Sequence, residues 1–314
     1  MHATAHTPGV PNGHARFQSG TVIVGASRLS AEDAAFRRET AARLWPTVTF
    51  ALAPVGYVIG GEPVLADTNT AILLNPDQPY SLMRVDPHGA ENESIELAPE
   101  VMADLVLQAA PGRGVDPRRP FATTHGHVPS HAFLARRMLT LALESGGVNP
   151  RAVEEAAIGI VRATLASVLA PRPAQVVTVA CLERRRDVVE YVREMLARRF
   201  RQRVRLDELA TEVELSSYHV SRMFHDLTGS TMRRYLDRLR LRWALEHICR
   251  DGRPLAGIAR EAGYCSESHL SDAFAREFGV RPARVRRPGV GERLDLIREL
   301  LAAGERVSAS GDAA

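Results

Sequence analysis

The stretch LDELATEVELSSYHVSRMFHDLTG, residues 206–229, decides the fold of the second half of this chain. Most of its pattern returns in PLAGIAREAGYCSESHLSDAFAREFG, residues 254–279. The apolar positions of the first part recur 49 residues on and those of the second part 50 residues on, so a one-residue slip falls in the middle. The chain therefore contains one supersecondary unit twice.

Each copy predicts two short helices joined by a tight turn. In the first copy, Leu206, Leu209 and Ala210 recur at helical spacing and give the first helix one apolar face. Ser216 can cap the second helix by accepting a backbone N–H, and Gly229 can end it in a left-handed conformation. The residues expected to point inward from the two second helices are Val220, Phe224, Leu227, Leu270, Phe274 and Phe278.

The outward, polar faces of the two second helices form the candidate functional surface. In a helix-turn-helix the second helix enters the major groove of DNA, so two copies can read two successive grooves. Between the copies, residues 231–249 keep helical spacing without Pro or Gly. A helix of that length spans roughly 28 Å, comparable with the ~34 Å of one duplex turn. The candidate base-reading residues are Ser217, Tyr218, Ser221, Arg222, Glu267, Ser268, His269, Ser271 and Asp272.

Basic residues are concentrated in the part of the chain that contains the two copies. Residues 184–287 hold 23 Arg against 15 acidic residues, whereas residues 1–183 hold 14 Arg against 17 acidic residues. A basic module beside a mildly acidic one is expected when only the basic module meets phosphates. The whole-chain charge of +3 hides this asymmetry.

Residues 187–287 resemble the DNA-binding domain of the AraC/XylS family of bacterial transcription regulators. The resemblance is carried by the first stretch quoted above, by YLDRLRLRWALEHI and by PLAGIAREAGYCSESHLSDAFAREFGVRPARVRR. It implies a sequence-specific regulator, an activator, that binds double-stranded promoter DNA and contacts RNA polymerase at the bacterial nucleoid in the cytoplasm. It also implies that Tyr218, Ser221 and Arg222 face the bases in the first copy, with Arg222 the strongest candidate. In the second copy the implied base-facing residues are Glu267, Ser268, His269, Ser271 and Asp272.

Two residues depart from the family pattern. Asp272 stands where such helices often carry a basic or amide residue, and phosphates repel a carboxylate unless it accepts from a cytosine amino group. The second copy is therefore expected to be the weaker reader. Val285 takes the place of a common aromatic residue, which should alter the packing of the last short helix and cost stability more than function.

The first half predicts short strands. From residue 19 to residue 108, alternating apolar runs are separated by Pro and Gly, as in a small sandwich or barrel. ILLNPDQPY, followed by the helical stretch APEVMADLVLQ, resembles the jelly-roll, cupin-like sensor half found upstream of this DNA-binding domain in many such regulators. The expected fold class is thus α+β, in which a β-sandwich or jelly-roll domain with a helix pair precedes an all-α double helix-turn-helix domain.

The helix pair covers residues 131–144 and 151–169, and both helices are amphipathic. In the resembling family such a pair can form a homodimer, whereas the alternative is that it closes the open face of the barrel. The expected domains are a disordered tail at 1–18, a cupin-like sensor or dimerisation domain at 19–170 and a linker at 171–186. The double helix-turn-helix domain at 187–290 and a C-terminal helix and tail at 291–314 follow.

Several residues raise the question of a chemical site. His125, His127 and His131 crowd together, as do His88, Glu91 and Glu93, but they lack the spacing of a metal-binding jelly roll. Cys181, Cys249 and Cys265 are odd in number and far apart, which argues for a reducing compartment. Cys265 precedes the second reading helix, where it is either a redox switch or a small residue in a turn.

The sequence indicates no metal, no cofactor and no catalytic residue, so we expect a protein that is not an enzyme. A small-molecule effector is expected, but Tyr57, Tyr80 and Trp45 could equally line its pocket or fill the core, so effector residues stay unassigned. No apolar run is long enough for a membrane helix. The alternatives are a ligand-independent architectural DNA binder and a metal-dependent cupin-type enzyme fused to a DNA-binding domain.

Overall fold

The computed structural model describes residues 13–40, 45–112, 114–170, 179–250 and 252–311. These residues form two compact units. The first, here called the strand-rich unit, contains the chain up to residue 170 and again from residue 287. The second, the helical unit, lies between them in the chain and ends at residue 286.

The strand-rich unit is built on two antiparallel sheets. Their strands are β1 (Gly13–Gln18), β2 (Val22–Leu29), β3 (Glu39–Thr40), β4 (Thr47–Ala51), β5 (Val55–Ile59), β6 (Glu62–Ala66), β7 (Thr70–Leu74), β8 (Tyr80–Arg84), β9 (Ala90–Leu97) and β10 (His125–His127). One sheet has the order β1-β2-β9-β4-β7-β10, and the other has the order β3-β8-β5-β6. A short 3-10 helix at Ala34–Arg37 precedes β3. This sandwich confirms the expected fold class.

Alternation along the strands explains why the two sheets stack. Tyr57, Ile59 and Leu82 of the smaller sheet and Ile72 and Leu74 of the larger one belong to one buried apolar cluster. Each lies two residues from its neighbour on the same strand, as required of side chains that share one face of a sheet.

The expected disordered tail at 1–18 is wrong in its second part. Residues 13–18 form β1, which pairs with β2 through Phe17 opposite Val24 and Gln18 opposite Ile23. The backbone hydrogen bonds of an edge strand hold this segment although its side chains carry only a weak strand pattern. Residues 1–12 lie outside the described residues.

Helices α1 (Pro99–Ala109), α2 (Ser130–Ser145) and α3 (Pro150–Val168) follow the strands. The side chain of Asn149 caps α3 by accepting from the backbone N–H of Arg151. Four consecutive residues of α2, from Ala132 to Ala135, are fully buried. A helix that buries consecutive residues is covered on more than one side, and α2 indeed contacts α3, β1 and the C-terminal helix.

A buried ion pair joins α2 to the larger sheet. The guanidinium of Arg136 contacts the carboxylate of Glu93 on β9, and the hydroxyl of Thr140 donates to the same carboxylate at 2.9 Å. The side chains of both ionised residues are almost wholly buried, at 2% and 4% exposure. Because removing either partner would leave a buried charge uncompensated, this pair fixes how α2 lies on the sheet.

The C-terminal helix α11 (Val290–Gly311) packs against α2 and α3, although it follows the helical unit in the chain. Leu296, Ile297 and Leu300 are buried. Arg293 donates from Nη1 to the carbonyl oxygen of Leu141 at 2.8 Å and to Oγ of Ser145 at 2.6 Å, both near the end of α2. The sequence predicted a C-terminal helix here, but not that its partners precede the helical unit in the chain.

Glycines allow α11 to approach closely. A Cβ on Gly159 of α3 would lie 2.6 Å from Cδ1 of Leu301, and a Cβ on Gly304 would overlap the ring of His131 on α2. A Cβ at Gly304 would have to displace the whole imidazole ring, whereas a Cβ at Gly159 would have to displace only the end of the Leu301 side chain, so the need for glycine is stronger at position 304.

The helical unit contains seven helices among its described residues. They are α4 (Val179–Arg199), α5 (Leu206–Glu212), α6 (Ser217–Thr228), α7 (Met232–Arg250), α8 (Leu255–Glu261), α9 (Glu267–Phe278) and α10 (Pro282–Arg286). The expected linker at 171–186 is wrong in its second part, since residues 179–186 begin α4, and residues 171–178 lie outside the described residues.

We expect Leu296→Ala to destabilise the strand-rich unit by about 2–5 kcal/mol, because the deletion leaves a cavity beneath α11. Urea unfolding followed by hydrogen exchange measures this loss and locates it. Arg298→Ala, at an exposed position of the same helix, is the matched control and should change stability by less than about 0.5 kcal/mol. Faster exchange in α6 or α9 instead of α2 would contradict the packing described here.

Candidate nucleic-acid interface

The first helix-turn-helix consists of α5 and α6. Leu209 and Ala210 of α5 pack with Val220 and Phe224 of α6 in one buried cluster. The hydroxyl of Ser216 accepts from the backbone N–H of His219, which caps α6. Gly229, at φ 69°, ends it in the left-handed region. The local structure of this copy is as predicted.

The second helix-turn-helix, α8 and α9, repeats the arrangement. Ser266 caps α9 by accepting from the backbone N–H of His269, and Gly279, at φ 73°, ends it. Leu270, Phe274 and Phe278 are buried, at 2% exposure or less. The rings of the two phenylalanines lie 4.6 Å apart between centroids.

The turns show where the one-residue slip lies. Glu214 in the first copy and Gly263 in the second occupy the same place, and both have positive φ, at 55° and 82°. The next residue in each copy, Leu215 or Tyr264, donates its N–H to the first helix in the same way. The extra residue of the second copy is therefore Cys265, immediately before the cap.

Most predicted base-reading residues are exposed on one face of their helix. Tyr218 has 69% of its surface exposed. Among the described residues, no hydrogen bond or ion pair engages Arg222, so its guanidinium is available to a ligand. The other exposed members of the predicted set are Ser221, Glu267, Ser268, His269 and Asp272.

Two predicted residues are less accessible. Ser217 is half-buried, and its hydroxyl donates to Oδ1 of Asp207 at 2.9 Å, which joins α6 to α5. Ser271 is also half-buried. Neither arrangement excludes a contact with a base, but the hydroxyl of Ser217 already contributes to the turn.

The negative charge of Asp272 is partly offset. Its carboxylate lies 3.7 Å from the guanidinium of Arg281, and both side chains are largely exposed. Exposed pairs of this kind contribute little to stability. The pair does lower the local negative potential that the sequence led us to expect on α9.

His269 is held in a small cluster at the start of α9. Its Nδ1 lies 3.2 Å from Sγ of Cys265, and its ring meets the ring of Tyr264 edge-on at 5.2 Å. Burial and the nearby Asp237 carboxylate raise the pKa of the Tyr264 hydroxyl. Tyr264 thus stays protonated at neutral pH and acts as a packing surface for the imidazole.

Sequence reasoning missed basic residues that follow each reading helix. Arg233 and Arg234 at the start of α7, and Arg281 and Arg284 at α10, are exposed. The 50-residue repeat in fact continues through this region, because Arg234 corresponds to Arg284 and buried Tyr235 corresponds to buried Val285. Following the repeat beyond Gly229 and Gly279 would have identified these basic residues from the sequence.

The long helix α7 provides the base on which both copies rest. Phe224 of α6 meets the ring of Tyr235 edge-on at 5.3 Å between centroids. Arg193 of α4 donates to the hydroxyl of Tyr235 at 3.1 Å. Arg238 of α7 pairs with Glu277 of α9 at 2.8 Å, and both side chains are largely buried. The two reading helices are therefore tied to one rigid element.

The residues considered as metal ligands have other roles. His125 and His127 lie on β10, whose backbone pairs with β7. Thr124 and the backbone of Asn69 hydrogen-bond the rings of His125 and His127. Glu93 is in the ion pair with Arg136, and His131 packs on Gly304. Among the described residues, no group of three or more ligand-type side chains is arranged to hold a metal ion.

No helix in the described part of the chain combines the length and apolar character needed to cross a membrane. Of the cysteines in that part, Cys249 and Cys265 are free thiols.

We expect Phe224→Ala to destabilise the helical unit by about 3–5 kcal/mol, because Phe224 is fully buried between α6 and Tyr235. His225→Ala, at the next and exposed position, is the control and should change stability by under about 0.5 kcal/mol. Urea unfolding without DNA measures both variants. Equal effects of the two substitutions would show that α6 does not bury the face assigned here.

Comparison with known proteins identifies this region. A family model described as "Helix-turn-helix domain" matches residues 209–288. The activator RclR of Escherichia coli, named an RCS-specific HTH-type transcriptional activator, is 36% identical over 81 residues, or 26% of this chain and 28% of RclR. The HTH-type transcriptional activator RhaS of Yersinia pestis is 33% identical over 91 residues, or 29% of this chain and 33% of RhaS. The chain thus spans a third or less of these relatives' lengths.

Among solved structures, a Chromobacterium violaceum transcriptional regulator described as containing an AraC-type DNA-binding domain is similar to this chain. It is 20% identical and has a TM-score of 0.31, and the match covers 33% of this chain and 96% of that one. Together with the repeated geometry, the family and sequence matches confirm the resemblance noted from the sequence. Residues 209–288 form a helix-turn-helix domain.

Proposed function

We propose that the whole chain is a sequence-specific transcriptional regulator, an activator, that binds double-stranded promoter DNA through α6 and α9. One observation carries the proposal: two capped helices bury an apolar stripe against a shared base and leave their polar faces exposed. That is the arrangement with which a helix-turn-helix presents side chains to the major groove. A regulator of this kind acts on the chromosome, in the cytoplasm, and meets RNA polymerase there.

The roles of individual residues follow from their chemistry. Arg222 suits a bidentate contact with the O6 and N7 atoms of a guanine. Tyr218, one turn earlier on α6, can reach a neighbouring base or sugar. We assign Arg234 and Arg284, which follow the two reading helices at equivalent places, to phosphates, which fix register without reading sequence. The second copy binds more weakly, because phosphates repel the carboxylate of Asp272 unless it accepts from a cytosine amino group.

The proposal is tested by selecting bound duplexes from a random pool with the full chain and then measuring affinities by fluorescence anisotropy. Arg222→Ala should cost about 1–3 kcal/mol on the selected duplex and relax the preference at one base position. Arg234→Ala is the contrast and should weaken binding uniformly across sequences and reduce the salt dependence by about one ion. If the native chain selects no sequence and binds no duplex at low salt, the proposed function is wrong.

We further propose that the strand-rich unit senses a small molecule. Its support is a polar patch on the inner face of the larger sheet, where a sandwich normally places apolar residues. Ser27 lies opposite Asn92, and Thr49 lies opposite Ser94, on the neighbouring strands β2, β9 and β4. All four are buried.

The patch lines a small cavity of about 10 Å³, space for about one water molecule, so a larger ligand requires the two sheets to move apart. Tyr57 and Tyr80 of the smaller sheet face it, with ring centroids 5.7 Å apart. Trp45 is not among the lining residues. Oδ1 of Asn92 is buried and accepts no hydrogen bond from the described residues. A buried acceptor without a donor costs free energy, so its retention favours a ligand that donates to it.

We expect Asn92→Leu to stabilise the ligand-free protein by about 1–3 kcal/mol, because it removes an unsatisfied buried polar atom while keeping the branched shape of the side chain. Thermal unfolding of the native and variant proteins measures the difference. Thr49→Val, at a neighbouring position of the same patch, shows whether the gain is specific to Asn92. A destabilised Asn92→Leu variant would mean that the amide serves the sandwich itself.

The architectural alternative, a DNA binder with an inert strand-rich unit, predicts operator affinity that no small molecule changes. A ligand can shift DNA binding only by the difference in its affinity for the two states of the protein. Measuring operator affinity in the presence of metabolite mixtures therefore separates the two. Sedimentation of the full chain decides whether it forms a homodimer.

A further inference from the structure

Arg240, a half-buried residue of α7, contacts the loop that precedes the first helix-turn-helix and lies close to the turn of the second. On one side its Nε donates to the carbonyl oxygen of Phe200 at 2.7 Å, and its Nη2 donates to that of Gln202 at 2.9 Å. These carbonyls follow directly after the end of α4. Helix α4 packs on α6, so these carbonyls lie between a helix that supports the first copy and the start of that copy.

On the other side Arg240 meets the turn of the second copy. A Cβ built on Gly263 would lie 3.1 Å from Cζ of Arg240 and 3.2 Å from its Nε and Nη2. The backbone of this turn therefore lies close to the guanidinium, which would have to move by a few tenths of an ångström to admit a Cβ. The φ of Gly263, 82°, also favours glycine at this position.

The chemistry of arginine suits a side chain that lies between two backbone segments and holds both in place. The guanidinium is planar and always charged, and its donors have fixed directions. Two carbonyls that accept from Nε and Nη2 fix the plane of the group, and the turn at Gly263 then packs against a surface of defined orientation. A lysine at this position would offer one ammonium group without a fixed plane.

We infer that Arg240 is a positioning residue that sets the orientation of α9 relative to α6, and thereby the spacing between the two half-sites that the chain binds. This inference rests on the proposed function, since it concerns how two readers engage one duplex. The helix α7 keeps the copies apart, and Arg238 with Glu277 ties α9 to it. Arg240 is the side chain that joins the end of α4 to the turn preceding α9.

Spacing gives the test, because two linked modules gain avidity only when the geometry lets both bind at once. The probe is the duplex selected by the full native chain, in which one or two base pairs are inserted or deleted between the half-sites. The native chain should bind the selected spacing at least about tenfold more tightly than the altered ones. In Arg240→Ala this preference should fall below about threefold, while affinity for a duplex with one half-site stays within about twofold.

Three further variants separate positioning from other effects. Arg240→Lys should give an intermediate spacing preference. Gly263→Ala keeps Arg240 but presses on its guanidinium, so it should also flatten or shift the preference. Arg234→Ala, assigned to a phosphate, should weaken binding at every spacing by the same factor.

The outcomes are distinct. If the native chain selects no duplex, the proposed function fails and this inference fails with it. If the native chain selects a duplex and Arg240→Ala keeps the native spacing profile, the inference alone is overturned. If Arg240→Ala does not fold, as circular dichroism would show, Arg240→Lys and Gly263→Ala decide, and native profiles in both would overturn the inference.

Discussion

The burial of one apolar stripe on each reading helix is the constraint on which the helical unit depends. Val220 and Phe224 in the first copy, and Leu270 and Phe274 in the second, are wholly inaccessible to solvent. Because a helix has one register, fixing these residues inward also fixes which residues point outward. The exposed surface is thus a consequence of the core, and a substitution in the core would misdirect side chains that it never touches.

Local signals explain what the sequence could predict. Ser216, Gly229 and their counterparts act within one turn of chain, and the repeat supplied two independent instances of each. The strand-rich unit was predicted in class but not in detail, because β1 and β10 are held by backbone pairing that leaves little trace in side chains. Contacts between residues far apart in the chain could not be predicted. No local pattern around Arg240 indicates its hydrogen bond to Phe200, and none in α11 indicates the hydrogen bond to Leu141.

Two buried polar groups of the chain illustrate two different roles. In the helical unit, Arg238 and Glu277 satisfy each other, and the pair serves alignment. Between the two sheets, Asn92 retains an acceptor that the described residues do not satisfy. A well-paired buried group gives orientation, whereas an unpaired one is a standing cost that natural sequences keep mainly where function requires it. Arg238 with Glu277 is an example of the first role, and Asn92 is the residue to which we assign the second under the proposed function.

The return of α11 to the strand-rich unit has a consequence for biosynthesis. Helices α2 and α3 leave the ribosome long before α11, and the whole helical unit is made in between. Until the last residues emerge, the apolar faces that Leu296 and Ile297 finally cover stay open to solvent and to other nascent chains. The helical unit can fold as soon as it is complete, so the unit that is begun first is finished last.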